Sequence, residues 1–354
     1  MLTSDLASKR APLLYCSAVA TAVRVPPWPG AHYVGIDENG MGPRLGPLVV
    51  TAVLTRVDRA RGGDRVVTTK PRGALATRIG DSKKLVAFDD NSLGEAWARA
   101  IVGHARPAAN APRAPTELIS SIALDPEATL REPCPSHHLD LCWGDEGETF
   151  SSTDANVAAC TQDLARLAAK GVEVLGVRVA IVCTKKLNAA VDKGLSRFDV
   201  DLHTMERLTL AAREEAGADV YALCGKVGGF NFYGSRFGPL SGRLFTALEE
   251  GRARSTYQLP GVGRLSFLRD ADDSHLLVGL ASLVGKWVRD HLMRRVVRFH
   301  RIRASATRLE LPDASGYHDP VTTRFIDATK LLRKQHRVAT QCFERTSLAK
   351  RAGG

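Results

Sequence analysis

A chain of 354 residues with 44% hydrophobic and 25% charged side chains can bury a core without disulfide staples, as one large domain or two modest ones. Its net charge of +11 favours an anionic partner, nucleic acid first among them. No unbroken apolar run is long enough for a membrane-spanning helix, so no membrane role is expected. Seven irregularly spaced cysteines, an odd number, argue for a reducing compartment such as the cytoplasm over a disulfide framework.

In chain order, residues 1–31 read as a disordered extension, or as the product of a start codon placed too early. Residues 11–25 faintly imitate a secretory signal, but Tyr15, Ser17 and Thr21 break the apolar stretch and Asp5 precedes it. The segment ends in a linker, Pro26-Pro27-Trp28-Pro29-Gly30. Strands are predicted over His32–Asp37, Pro47–Thr55 and Arg65–Lys70, then a helix over 91–103. Residues 104–150 are proline-rich and too long for an ordinary connection, which predicts an irregular peripheral insertion. Helix 154–170, strand 172–183, helix 200–216 and strand 218–224 follow, an alternation that predicts an α/β fold.

The clearest helix runs from Ser274 to Phe299. Leu276, Leu280, Leu283, Trp287 and His291 recur at helical spacing as one buried stripe. Its far end carries Arg289, Arg294, Arg295 and Arg298, continued by Arg301 and Arg303. Such a cluster suits either the negative end of a helix dipole or a phosphate backbone.

The segment Tyr33–Pro47 carries the most chemistry. An apolar strand delivers the adjacent acids Asp37 and Glu38 to the glycine-rich turn Gly40-Met41-Gly42-Pro43-Arg44. Glycine lets a ligand come close to the backbone, and exposed turn N–H groups suit phosphate oxygens. Acids beside a phosphate require a divalent cation between them, and Mg²⁺ or Mn²⁺ fits; the plainer alternative is a hairpin turn with surface acids.

Four segments in the same order resemble type 2 ribonuclease H, the ribonuclease HII-like family, in divergent form. Gly35–Pro47 is similar to its opening Asp-Glu motif, and Asp81-Ser82-Lys83-Lys84-Leu85 to its Asp-Ser-Lys-Lys-Leu signature. Ala281–Met293 resembles its Ala-Ser-Ile-x-Ala-Lys-x-x-Arg-Asp helix, and Ser315-Gly316-Tyr317 a segment near the end of archaeal-type members. The resemblance implies a ribonuclease H-like α/β fold over 32–330, with a mixed central sheet and helices on both faces. Residues 104–150 would be an insertion and 331–354 a C-terminal tail.

It also implies that Asp37, Glu38 and Asp272 are the catalytic, metal-binding acids, with Asp270 and Asp273 as alternatives to Asp272. Gly40, Met41, Gly42, Arg44, Lys83 and Tyr317 would contact substrate. Two positions depart from the family pattern. Met41 replaces the arginine of Gly-Arg-Gly, for which Arg44 is a possible substitute. The third catalytic aspartate falls on Cys224 or Gly225, neither of them a carboxylate. Asp219 cannot stand in, because at ~3.3 Å per strand residue it lies roughly 16 Å away.

The expectation is a monomeric, Mg²⁺- or Mn²⁺-dependent endoribonuclease. It would cut the RNA strand of RNA–DNA hybrids, or cut at ribonucleotides embedded in duplex DNA, with the arginine-rich helix end holding the duplex. The alternatives are a catalytically impaired nucleic-acid-binding protein on the same fold, favoured by the substituted third acid, and another nuclease on that fold. Cys134, His137, His138 and Cys142 loosely imitate zinc spacing but match no standard ligand pattern.

Overall fold

The structure is a computed structural model that describes residues 25–105, 111–305 and 309–346. The extension expected over 1–31 lies outside these residues up to position 24. Seven strands form a single sheet: β1 (His32–Asn39), β2 (Leu48–Val57), β3 (Val172–Val182), β4 (Val220–Gly225), β5 (Thr246–Glu250), β6 (Arg254–Leu259) and β7 (Gly263–Leu268). Their order is β3-β2-β1-β4-β7-β6-β5. β1 to β3 run as an antiparallel meander, whereas β1–β4 and β4–β7 are parallel pairs. This is the mixed α/β sheet with helices on both faces that the sequence led us to expect.

Four long helices cover it: α1 (Ser92–Ala105), α2 (Asp154–Ala169), α3 (Arg197–Ala216) and α4 (Leu276–Ala304). β1 lies at the centre with both faces covered, so it reads as a near-continuous apolar run. Tyr33 joins the core layer of α1, α2 and α4, while Val34 and Ile36 join the layer of α3. At Gly35 the crossing with α4 is so close that an added Cβ would stand 2.3 Å from the backbone carbon of Leu277.

Arg65–Lys70, predicted as a strand from its Val-Val-Thr-Thr run, is not one. β2 already has β1 and β3 as neighbours, so no edge of it is free for this segment. Gly62 adopts a left-handed conformation, and Gly63–Val67 turns into a short helix that buries Val67. The three strands β5 to β7 had no counterpart in the sequence reading.

Residues 104–150, expected to be irregular, include the helix Pro115–Ile122, whose Leu118, Ile119 and Ile122 join the core with Leu130 and Trp143. They also supply Glu148, which accepts hydrogen bonds from Arg295 Nε (2.8 Å) and Nη2 (2.6 Å), from Arg298 Nη2 (2.8 Å) and pairs with His291 Nε2 (2.9 Å). Helices Pro320–Ala328, Lys330–Gln335 and Thr340–Phe343 then pack Phe325, Leu332 and Phe343 on the end of α4. With cover on both sides, α4 is buried almost all round and not along the single expected stripe.

The arginines of α4 are mostly spent inside the chain. Arg289 and Arg295 are 1% and 2% exposed, Arg294 donates to Asn91 Oδ1, and Arg301 donates to the Leu311 carbonyl. The cluster expected to hold a duplex therefore serves largely to bind Glu148, Asn91 and the carbonyls of Leu311 and Ser315. Among the described residues no helix is long and apolar enough to cross a membrane.

His300, 1% exposed, bonds the Val296 carbonyl at 2.9 Å through Nδ1 and leaves Nε2 without a partner. Burial first, then nearby cations, lower its pKa to about 4 from an ordinary 6.5. Between those values the unfolded chain binds the extra proton, so the stabilisation is complete above pH 6.5 and lost as the pH falls toward 4. Unfolding midpoints in urea should drop across this window, and His300→Phe should flatten the drop; His275, also lowered to about 4 by burial, contributes with the same sign.

Candidate active site

Side chains alternate along a strand, so the last turn of β1 sends its two acids to opposite faces of the sheet. Asp37 points toward α4 and Glu38 toward α3. The Asp37 carboxyl is held well above its ordinary range, first by burial, then by the charges of Glu38 and Asp272, with the Ser282 hydroxyl opposing. It keeps some exposed surface.

Glu38 Oε2 accepts a hydrogen bond from the Met41 N–H at 3.1 Å. Burial raises this carboxyl, while the Met41 N–H and the charges of Lys83, Arg345 and Arg289 pull it down. Asp272 sits on the short helix Ala271–Ser274 just before α4, its Oδ1 accepting from the Asp273 N–H at 3.0 Å. Burial and the neighbouring Asp81 raise it, and Lys83 lowers it. Asp37, Glu38 and Asp272 thus share one electrostatic neighbourhood at the end of β1, and the exposed Lys83 acts on two of them. Of the alternatives, Asp273 is taken by Lys70 and Lys84, and Asp270 pairs with Arg269.

The glycine turn is shaped from beneath. Gly40, at φ 97°, has Arg289 Nε and the Pro47 carbonyl where a Cβ would go, each 2.9 Å away. Arg289 also donates to the Ser315 carbonyl and lies 4.4 Å from the ring centre of Tyr317, which is 42% exposed. Gly42 faces open space. Met41 offers its N–H to Glu38 and its carbonyl to Arg197 and Arg345, at 3.4 Å each.

Arg44, the possible substitute for the missing arginine, turns away to Glu344 (2.8 Å) and Thr323. Besides Arg197 and Arg289, the cation that reaches the turn is Arg345, which was not singled out in the sequence. It is 4% exposed, donates to the carbonyls of Gly40 (2.5 Å) and Gly46 (2.8 and 2.9 Å), and acts on Glu38. Nothing in the local sequence marks it, because the contact spans 305 positions.

The substituted third-acid position behaves as its residues dictate. Cys224 is fully buried, and burial raises its thiol. Gly225 lies beside Asp37: a Cβ there would stand 2.8 Å from Asp37 Oδ1. A second side chain missed in the sequence is Asp201 on α3, 0% exposed, with both carboxylate oxygens unpartnered. Burial raises its pKa well above the ordinary range, followed by the charges of Glu38 and Asp37. Its signal was present in the helix periodicity: Asp201, Met205, Leu208 and Ala212 fall on one buried stripe, and only the first is charged.

Among the described residues no group of three or more His, Cys, Asp or Glu side chains is placed to hold a metal ion. The donors around Asp37 are nonetheless all carboxylate oxygens, several of them buried among like charges, and that set suits Mg²⁺ or Mn²⁺ over softer ions. The loosely zinc-like group is divided. His137 Nε2 bonds the Arg337 carbonyl at 3.2 Å, while Cys134, Cys142, Cys183 and Cys342 line an apolar cavity with His138. Burial raises the Cys142, Cys183 and Cys342 thiols, the last to about 11.

No protein-family model matches the chain, and no curated protein matches it in sequence. Solved structures do. "Bst-RNase HIII in complex with Mn2+" is 13% identical at a TM-score of 0.41, over 89% of this chain and 67% of that one. RNase HII from Archaeoglobus fulgidus, in a complex with PCNA, is 15% identical at 0.41, over 90% and 98%. Ribonuclease H2 from Pyrococcus horikoshii OT3 is 15% identical at 0.42, over 91% and 96%. Likeness at this level fixes neither substrate nor activity, and the chain spans about two thirds of the length of the ribonuclease HIII chains. The chain is similar to ribonucleases HII and HIII along its backbone, while its sequence lies far from theirs.

Proposed function

We propose that this protein is a divalent-metal-dependent endoribonuclease that cuts the RNA strand of RNA–DNA hybrids, or cuts at ribonucleotides embedded in duplex DNA. The observation that supports the reading is that the charges of Glu38 and Asp272, the latter more than two hundred positions away, both act on Asp37, beside a glycine turn open at Gly42. Asp37, Glu38 and Asp272 would hold Mg²⁺ or Mn²⁺, which when bound supplies an activated water and stabilises charge on the leaving oxygen.

The other roles belong to the chain itself. The Gly40–Gly42 turn, open at Gly42 and held below by Arg289 and Arg345, can approach a sugar closely enough to sense a 2′-hydroxyl. Lys83 presents an exposed cation beside the acids, suited to a substrate phosphate. The Tyr317 ring, exposed and backed by Arg289, offers a flat surface to a base or sugar next to the cut.

The test uses three duplexes of equal length: all-DNA, DNA with one internal ribonucleotide, and an RNA–DNA hybrid, each with Mg²⁺ and with Mn²⁺. Cleavage confined to the ribonucleotide-containing duplexes is the expected result. Salt-sensitive binding without cutting would mark the chain as a binding module, and equal cutting of all-DNA would mark another class of nuclease.

A further inference from the structure

We propose that Asp201 is the relocated third carboxylate of this site, a metal ligand delivered by α3 from the face of the sheet opposite to α4. The inference rests on the reading of Asp37, Glu38 and Asp272 as metal-binding acids.

The steric argument starts at β4. Gly225 carries no side chain, and the Asp37 carboxyl fills the space beside it, its Oδ1 2.8 Å from where a Cβ would stand. Cys224, one position earlier, points into the layer of α3 and belongs to its core. A third carboxylate must therefore come from another element, and α3 packs across β1 and β4 at this level.

The energetic argument concerns Asp201 itself. Burying a carboxylate costs several kcal/mol, roughly, unless it is paired and hydrogen-bonded. Asp201 has neither compensation: it is 0% exposed, both oxygens lack a partner, and the ionisable groups acting on it are the acids Glu38 and Asp37. The surrounding layer, with Leu202, Met205, Cys224 and Tyr233, would be served equally well by a neutral side chain. A divalent cation between Asp201 and the β1 acids supplies the missing partner and relieves the mutual repulsion at once. Glu38 is the residue it would share, since β1 turns that side chain toward α3.

The opposite signs of two effects make the idea testable. Asp201→Asn keeps the shape and removes the buried charge, so at pH 8 without metal it should unfold at a higher temperature than wild type. Its Mn²⁺ affinity, read from the loss of the free-ion EPR signal and from the Mn²⁺-induced rise in melting temperature, should fall by about tenfold or more, as in Asp37→Asn. In Asp201→Cys the preference should shift from Mn²⁺ toward Cd²⁺ relative to wild type, which gives a second readout if the asparagine variant folds poorly. Wild-type Mn²⁺ affinity in Asp201→Asn, with affinity lost in Asp37→Asn, overturns the role of Asp201 and leaves the rest of the site standing. Absence of Mn²⁺ binding in the wild-type protein overturns both.

Discussion

Asp37→Asn should reduce cleavage of a ribonucleotide-containing duplex on the order of a thousandfold while leaving the protein folded. A metal-dependent phosphodiester cut draws several kcal/mol of barrier lowering from its ions, and each 1.36 kcal/mol is about tenfold in rate. The charges of both other expected ligands, Glu38 and Asp272, act on Asp37, so losing its charge weakens any ion shared with either. The same substitution relieves like-charge crowding, and the melting temperature without metal should stay level or rise. Single-turnover rates and a thermal melt on one preparation check both halves. A variant that keeps wild-type cleavage removes the site from consideration.

The second large effect is on stability. Glu148→Ala should cost about 3–5 kcal/mol, because it leaves Arg295, with 1% of its side chain exposed, as an uncompensated buried cation. Glu148 is itself nearly buried, and burial alone would raise its pKa. His291 and Arg295 overcome this and hold it well below the ordinary carboxylate range. A group depressed in the folded state contributes stability that is present above its unfolded pKa of 4.5 and is lost as the pH falls below that. Urea unfolding at pH 7 and pH 4 should show the mutational loss shrinking at the lower pH. A small loss at both would mean that solvent reaches the cluster.

Glu148 also shows where the sequence was legible and where it was not. The elements with strong local patterns, β1, β2, β3, α2, α3 and α4, lie close to their expected bounds because their apolar residues are contiguous in sequence. Arg65–Lys70 failed because β-branched residues favour a strand only where they pair with a neighbour, and the left-handed Gly62 turns this segment into a helix instead. The arginines of α4 could not be sorted by eye, since whether a cation meets solvent or a buried acid depends on a partner 147 positions away. At the site, the adjacent acids and the glycine turn were readable because they are contiguous. Arg345 was not, because its use depends entirely on tertiary contact. Asp201 stood between these cases, visible as a charge on an apolar stripe yet without meaning until α3 was laid across β1.

The contact of Arg345 with the glycine turn has a consequence for how the protein comes to work. The turn is held by a residue 305 positions further along the chain, so its shape depends on a contact that no local segment can supply. A nascent or C-terminally clipped chain would already own its acids but would present a slack turn beside them. On the proposed function, a protein cut before Arg345 should lose discrimination for a ribose before it loses its sheet.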